Sequence, residues 1–126
     1  MSGFRVLGIS WIGIGTDRYE ETRHLFEDVL GLDLDTDAGR QCILRTPAGQ
    51  QVELFGRDGP GKTNNTPPAF ALEVDYFDAA LAGLVDAGVE LVGEAGAWDG
   101  HRWQYFRTPD GYLASIKVSP PADSED

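Results

Sequence analysis

One cysteine, two histidines and ten basic residues in a chain of 126 set the first limits on chemistry. The single thiol, Cys42, excludes a disulfide within the chain and any zinc site built from paired cysteines. Its neighbours Gln41, Ile43 and Leu44 read as strand, so a buried, inert thiol is expected rather than a nucleophile. Basic residues are outnumbered by 21 acidic ones, for a formal charge of −11. Such a charge repels phosphate backbones and anionic bilayers, so neither nucleic acid nor a membrane is expected as a partner. No apolar run approaches the roughly 20 residues that a membrane-crossing helix needs. The start, Met1-Ser2-Gly3-Phe4-Arg5-Val6, lacks a basic segment followed by an apolar one, and the expected compartment is the cytoplasm.

What is present is an ordinary globular composition, 41% hydrophobic and 10% aromatic, at a length that suits one domain over residues 1–126. The end, from Ser119 through Pro120-Pro121 to Asp126, has the composition of a disordered tail over 119–126. Within the domain the chain repeats itself. Arg45-Thr46-Pro47-Ala48-Gly49 recurs as Arg107-Thr108-Pro109-Asp110-Gly111, and a strand follows each copy: Gln51–Phe55 and Leu113–Val118. The Pro-x-Gly steps are turn chemistry that closes hairpins. Upstream, Trp11-Ile12-Gly13-Ile14-Gly15 and Ala69-Phe70-Ala71-Leu72-Glu73-Val74 are both strand-like, and each runs into an aspartate, Asp17 or Asp75, expected to cap a helix. Tyr19, Thr22, Phe26, Val29 and Leu30 follow at helical spacing until Gly31; Ala80, Leu81, Leu84 and Val85 do so until Gly88. The order is strand, helix, then three strands, twice. Module one spans about 5–56, a linker 57–68, and module two 69–118.

The offset between the halves is 58 residues at Trp11/Ala69 and 62 at Arg45/Arg107. The extra length falls in Gly93–His101, expected to be a loop that carries binding groups. Gly56-Arg57-Asp58-Gly59-Pro60-Gly61-Lys62-Thr63 fits the pattern of a nucleotide-binding loop. Asn64-Asn65-Thr66-Pro67-Pro68 follows it, however, where a phosphate-holding helix would have to run.

The run from Trp11 through Phe26-Glu27-Asp28-Val29-Leu30-Gly31-Leu32, the strand Val52-Glu53-Leu54 and the segment Phe106–Gly111 resemble the vicinal oxygen chelate superfamily, over about residues 5–118. That superfamily includes glyoxalases, extradiol dioxygenases and bleomycin-resistance proteins. The resemblance implies an α+β fold of two tandem βαβββ modules forming a curled mixed sheet around a ligand cup, and short members usually pair as homodimers. It also implies four metal-ligand positions, a histidine on the first strand and a glutamate on the last strand of each half. Here those positions hold Trp11, Ala69, Glu53 and Ser115, so one of four ligands remains. No metal and no cofactor are expected, since a divalent ion needs three or four protein donors. A relocated site from Glu53, His101 and Asp99 is the weaker reading, and His24 reads as a surface residue.

Alternation along strands groups Glu53 with Gln51 and Phe55, Ser115 with Leu113 and Lys117, and Ala69 with Ala71 and Glu73. Trp11 and Ala69 in place of histidines turn a metal cage into an apolar wall, which Phe55, Trp98, His101, Trp103 and Tyr105 extend as candidate ligand contacts. Trp103 and Tyr105 are equally well read as core. Glu53 is the candidate catalytic group: a carboxylate without a cationic neighbour in an aromatic cavity should have a raised pKa. Two functions remain open. The first is a metal-free small-molecule binding protein that sequesters an aromatic or cationic natural product or antibiotic. The second is a metal-independent isomerase, lyase or cyclase with Glu53 as general acid or base.

Overall fold

The computed structural model describes residues 3–120; the rest of the expected tail, 121–126, lies outside the described residues. The fold is α+β, with two tandem modules of four strands each. In chain order the elements are β1 (Val6–Gly15), α1 (Tyr19–Arg23, continued as a π-helix over His24–Val29), β2 (Asp33–Asp37), β3 (Gln41–Arg45), β4 (Gln51–Phe55), α2 (Pro60–Asn64), β5 (Ala69–Val74), α3 (Phe77–Asp86), β6 (Leu91–Trp98), β7 (His101–Arg107) and β8 (Leu113–Val118). They form two compact units. The first holds Ile9–Phe70, and the second joins the described residues up to Gly8 to those from Ala71 onward.

In the first unit the strand order is β2-β3-β4-β1. β1 and β4 run parallel, with Trp11 beside Gln51, Gly13 beside Glu53 and Gly15 beside Phe55. β3 lies antiparallel to β4, with Cys42 opposite Leu54 and Ile43 opposite Glu53. Because side chains alternate, Cys42, Leu44 and Leu54 share one face. There they close on Tyr19 of α1, all of them 1% exposed or less, with Ile14, Phe26, Leu32 and Val52 packed around them. Burial pushes the Cys42 thiol up from its ordinary range, which suits a packing role. The opposite face carries Trp11, Glu53, Phe55 and Gln41.

The second unit has the order β5-β8-β7-β6, the same neighbour sequence read by module. Its core is Val74, Phe77, Ala80 and Ile116, with Phe4, Leu81, Leu84, Phe106 and Val118 against it. Phe4 arrives from the start of the chain. Its neighbour Arg5 is tied to the strand end by two bonds: the Arg5 N–H donates to Asp75 Oδ1 at 2.6 Å, and the Asp75 N–H donates to the Arg5 carbonyl at 3.1 Å.

The expected turn is present in both units. Gly49 N–H donates to the Thr46 carbonyl at 2.9 Å and Gly111 N–H to that of Thr108 at 2.8 Å. Each repeat arginine then reaches the carbonyl of its own glycine, Arg45 at 3.0 Å and Arg107 at 3.1 Å. Both glycines sit at φ near 90°, where a side chain would be strained.

Three local expectations are corrected. Asp17 and Asp75 are not helix caps: α1 begins after Arg18 and α3 after Tyr76, neither with a side-chain cap. Asp17 pairs with Lys62 and Asp75 with Arg5, so both carboxylates are drawn to distant partners. Gly93–His101 is not a loop. β6 runs to Trp98, and only Asp99-Gly100 turns the chain, both at positive φ, as a two-residue hairpin with Asp-Gly requires. A register shift between Val92 and Gly96 absorbs extra length inside the strand. The segment after β4 also contains one helical turn, α2, and Lys62 within it binds Asp17 and Asp58. Two carboxylates hold the cation that a nucleotide loop would present to phosphate.

Candidate functional site

On the face of the first unit turned away from α1, Glu53 is held by neutral donors. Trp11 Nε1–H donates to Oε1 at 3.0 Å and Gln41 Nε2–H donates to Oε2 at 3.0 Å. Trp11 reaches it across the parallel β1/β4 pair, and Gln41 reaches it diagonally across β3/β4. Among the described residues no ion pair involves Glu53, so its charge is oriented without being neutralised. Phe55 meets the Trp11 ring edge-on, with centroids 6.5 Å apart and an interplanar angle of 67°, a favoured aromatic geometry. Trp11 lies so close over Gly13 that a Cβ there would overlap its ring and the Asn65 amide oxygen. Glycine at 13 is what allows the indole to lie down on its own strand.

The second unit presents a different set on its corresponding face. β7/β8 pairing places Trp103 opposite Lys117 and Tyr105 opposite Ser115. Trp98 stands opposite His101 at the end of the hairpin and is 62% exposed. Trp103 lies over Gly96 as Trp11 lies over Gly13. Ser115 is buried and its hydroxyl donates to the Ile116 carbonyl at 2.9 Å. Ala69 and Ala71 are also buried.

The two units therefore distribute the expected residues as follows. Trp11, Glu53 and Phe55 come together in the first. His101, Trp103, Tyr105 and Ser115 share one face of β7 and β8 in the second, with Trp98 at its rim. Gln41 was not foreseen. A diagonal pairing of β3 with β4 would have indicated it, but that pairing needs a register that sequence alone does not fix. Lys117 and Glu73 were recognised only as neighbours in alternation, and Ser119 was assigned to the tail.

The donor set does not suit a divalent ion. An indole N–H only donates, alanine offers no ligand atom, and the Ser115 hydroxyl is committed to backbone. Among the described residues no cluster of three or more His, Cys, Asp or Glu is placed to hold a metal.

Residues 8–116 match the sequence profile of the Glyoxalase/Bleomycin resistance protein/Dioxygenase superfamily. Curated protein sequences provide no match. Among solved structures, methylmalonyl-CoA epimerase from Mycobacterium tuberculosis is 21% identical with a TM-score of 0.73, covering 96% of this chain and 93% of that one. The Mn(II)-bound glyoxalase from Novosphingobium aromaticivorans is 22% identical with a TM-score of 0.74, covering 91% of this chain and 40% of that one. The E323L mutant of homoprotocatechuate 2,3-dioxygenase from Brevibacterium fuscum is 18% identical with a TM-score of 0.72, covering 91% and 33% respectively. At these identities the likeness is one of fold.

Proposed function

The chain belongs to the Glyoxalase/Bleomycin resistance protein/Dioxygenase superfamily, and from that premise we propose that it is a metal-independent small-molecule binding protein whose ligand is aromatic or cationic. The observation that carries this reading is the Trp11–Glu53–Gln41 arrangement. The residue in the place of a metal-binding histidine is an indole that hydrogen-bonds the one surviving carboxylate. An apolar ring beside an oriented, un-neutralised carboxylate is a recognition surface for a flat ligand with an ammonium or amidinium group. The chain's formal charge of −11 favours approach of such a cation.

Two measurements test the proposal. Metal analysis of untagged protein, with calorimetric titration of nickel, zinc, cobalt and anaerobic iron(II), is expected to find no stoichiometric site; one tightly bound ion per chain refutes it. A panel of cationic aromatic compounds, read by calorimetry and tryptophan emission, should yield ligands that Glu53→Gln weakens by about tenfold or more, as loss of a charge-assisted contact implies. Unchanged affinity in that variant removes Glu53 from the site.

A second reading has its own support, because each Glu53 oxygen accepts one bond and keeps a further lone pair for a proton. In that reading Glu53 is the general acid or base of an isomerase, lyase or cyclase. Turnover that disappears in Glu53→Gln while ligand affinity persists selects it. The expected setting is a cytoplasmic homodimer. Val6, Leu7 and Ile9 on β1 are each more than half exposed, and no helix among the described residues is long and apolar enough to cross a membrane. Sedimentation at micromolar concentration reads the assembly directly.

A further inference from the structure

The proposed ligand surface makes no use of Lys117, one of only two lysines in the chain. Lys117 is 6% exposed. Its Nζ lies 2.7 Å from His101 Nδ1 and 2.7 Å from Ser119 Oγ. Ser119 is fixed in turn by Glu73, which accepts its hydroxyl at 3.0 Å and its backbone N–H at 2.9 Å. Since the Ser119 proton points to Glu73, an oxygen lone pair faces Lys117, and the amine is positioned from two sides. Trp103 stands across the strand pair from it.

The short contact with His101 constrains protonation. A hydrogen bond between Nζ and Nδ1 needs one nitrogen to donate and the other to accept. Either an ammonium donates to a neutral imidazole, or an imidazolium N–H donates to a neutral amine. Two cations at this distance leave no acceptor and repel each other, so the pair holds one positive charge between them. Burial disfavours an ammonium group, and a desolvated lysine beside a proton acceptor is a nucleophile in waiting.

We infer that Lys117 is an imine-forming lysine that condenses with the carbonyl group of an aldehyde or ketone, with His101 as its proton carrier. The Nζ lone pair bonds to the carbonyl carbon while the C–O π pair moves to oxygen, which takes a proton from the His101 imidazolium. His101 then removes a proton from the new ammonium and returns it to the hydroxyl, which leaves as water as the C=N bond forms. One amine, one carbonyl and one proton become one iminium and one water, so the positive charge of the pair passes to the product. Ser119 and Glu73 are positioning residues. The inference is independent of Glu53 and stands whether or not the first unit binds a cation.

Reductive trapping tests it on the intact protein: benzaldehyde or pyruvate at pH 7 with sodium cyanoborohydride, followed by peptide mapping, with the α-amino group scored apart. Lys62 is the internal reference, because its side chain is 19% exposed and engaged by Asp17 and Asp58. Exposure alone would label Lys62 first. The expected result is trapping at Lys117 at least tenfold faster than at Lys62, abolished in Lys117→Arg, which keeps a cation but forms no imine. Folded His101→Gln should trap at least tenfold more slowly. No adduct at Lys117 with either probe, or one no faster than at Lys62, overturns the inference; an unchanged rate in His101→Gln overturns the role of His101.

Discussion

The two units repeat one scaffold closely and differ on the face that scaffold presents. Their strand neighbours follow the same order, and their Arg-Thr-Pro-x-Gly turns close with the same backbone and arginine bonds. Position by position, however, Trp11 gives way to Ala69, Glu53 to Ser115, Phe55 to Lys117 and Gly15 to Glu73. The first unit thus orients a carboxylate with two neutral donors, and the second orients a lysine with an imidazole and a hydroxyl. The turns and cores are constrained because buried backbone groups must be paired and apolar faces covered. The other face has no such debt, and there a duplicated module can carry an acid in one copy and a base in the other.

The largest effects should come where the two units are alike. Leu54→Ala, which empties a site with no exposure, is expected to cost about 2–5 kcal/mol, and Ile116→Ala in the other core a similar amount. Chemical denaturation measures both, and a cost below about 1 kcal/mol for either would mean that core is not a close-packed one. Smaller effects separate the glycines that seat the two tryptophans. Gly13→Ala and Gly96→Ala each drive a methyl into an indole, but their surroundings differ. The Gly13 methyl also meets Asn65, which is 1% exposed and anchored to the Gly61 carbonyl at 2.6 Å. The other nearest atoms at Gly96 are all in Trp103, on a partly exposed hairpin that can swing outward. About 2–3 kcal/mol is expected for Gly13→Ala and about 1 kcal/mol for Gly96→Ala, with a red shift of tryptophan emission in both. Equal costs would show that Trp103 is held as tightly as Trp11.

Sequence carried the scaffold well because its signals are local and doubled. The turn pentapeptide occurs twice, Gly31 and Gly88 end the helical periods at positive φ, and alternation placed Glu53, Phe55, Ser115 and Lys117 on their correct strand faces. It failed where a side chain chose a distant partner over a near one. Asp17 suits a capping box by spacing, yet Lys62 is 45 residues away and takes it. Gly93–His101 looks like a loop by composition, but Asp99-Gly100 needs only two residues to turn, and the remaining glycines serve a bulge and the bed for Trp103. The bonds that define the two polar clusters, Gln41 to Glu53 and Lys117 to His101, span 12 and 16 residues. Both depend on strand register, which no local pattern encodes.

The smallest predicted effect concerns a group peculiar to the first unit. The Tyr19 hydroxyl is buried beside Cys42 and Arg23 without a well-formed hydrogen bond to either. Burial is the main cause that pushes the phenol up from 10.0 to about 12. A value raised in the folded state means that the neutral phenol favours folding. That contribution is whole below about pH 10 and is lost as pH rises toward about 12. Tyr19→Phe removes the hydroxyl and leaves the ring in the core. It should therefore raise stability by up to about 1 kcal/mol at neutral pH, since an unpaired buried hydroxyl is unfavourable, and flatten the loss of stability between pH 10 and 12. Tyr112→Phe, at a site 62% exposed, should change neither. Denaturation midpoints at pH 7, 10 and 11.5 decide the matter. If Tyr19→Phe destabilises at pH 7 instead, the hydroxyl is bonded in solution to Cys42 or Arg23, and the first core is polar-locked where the second is not.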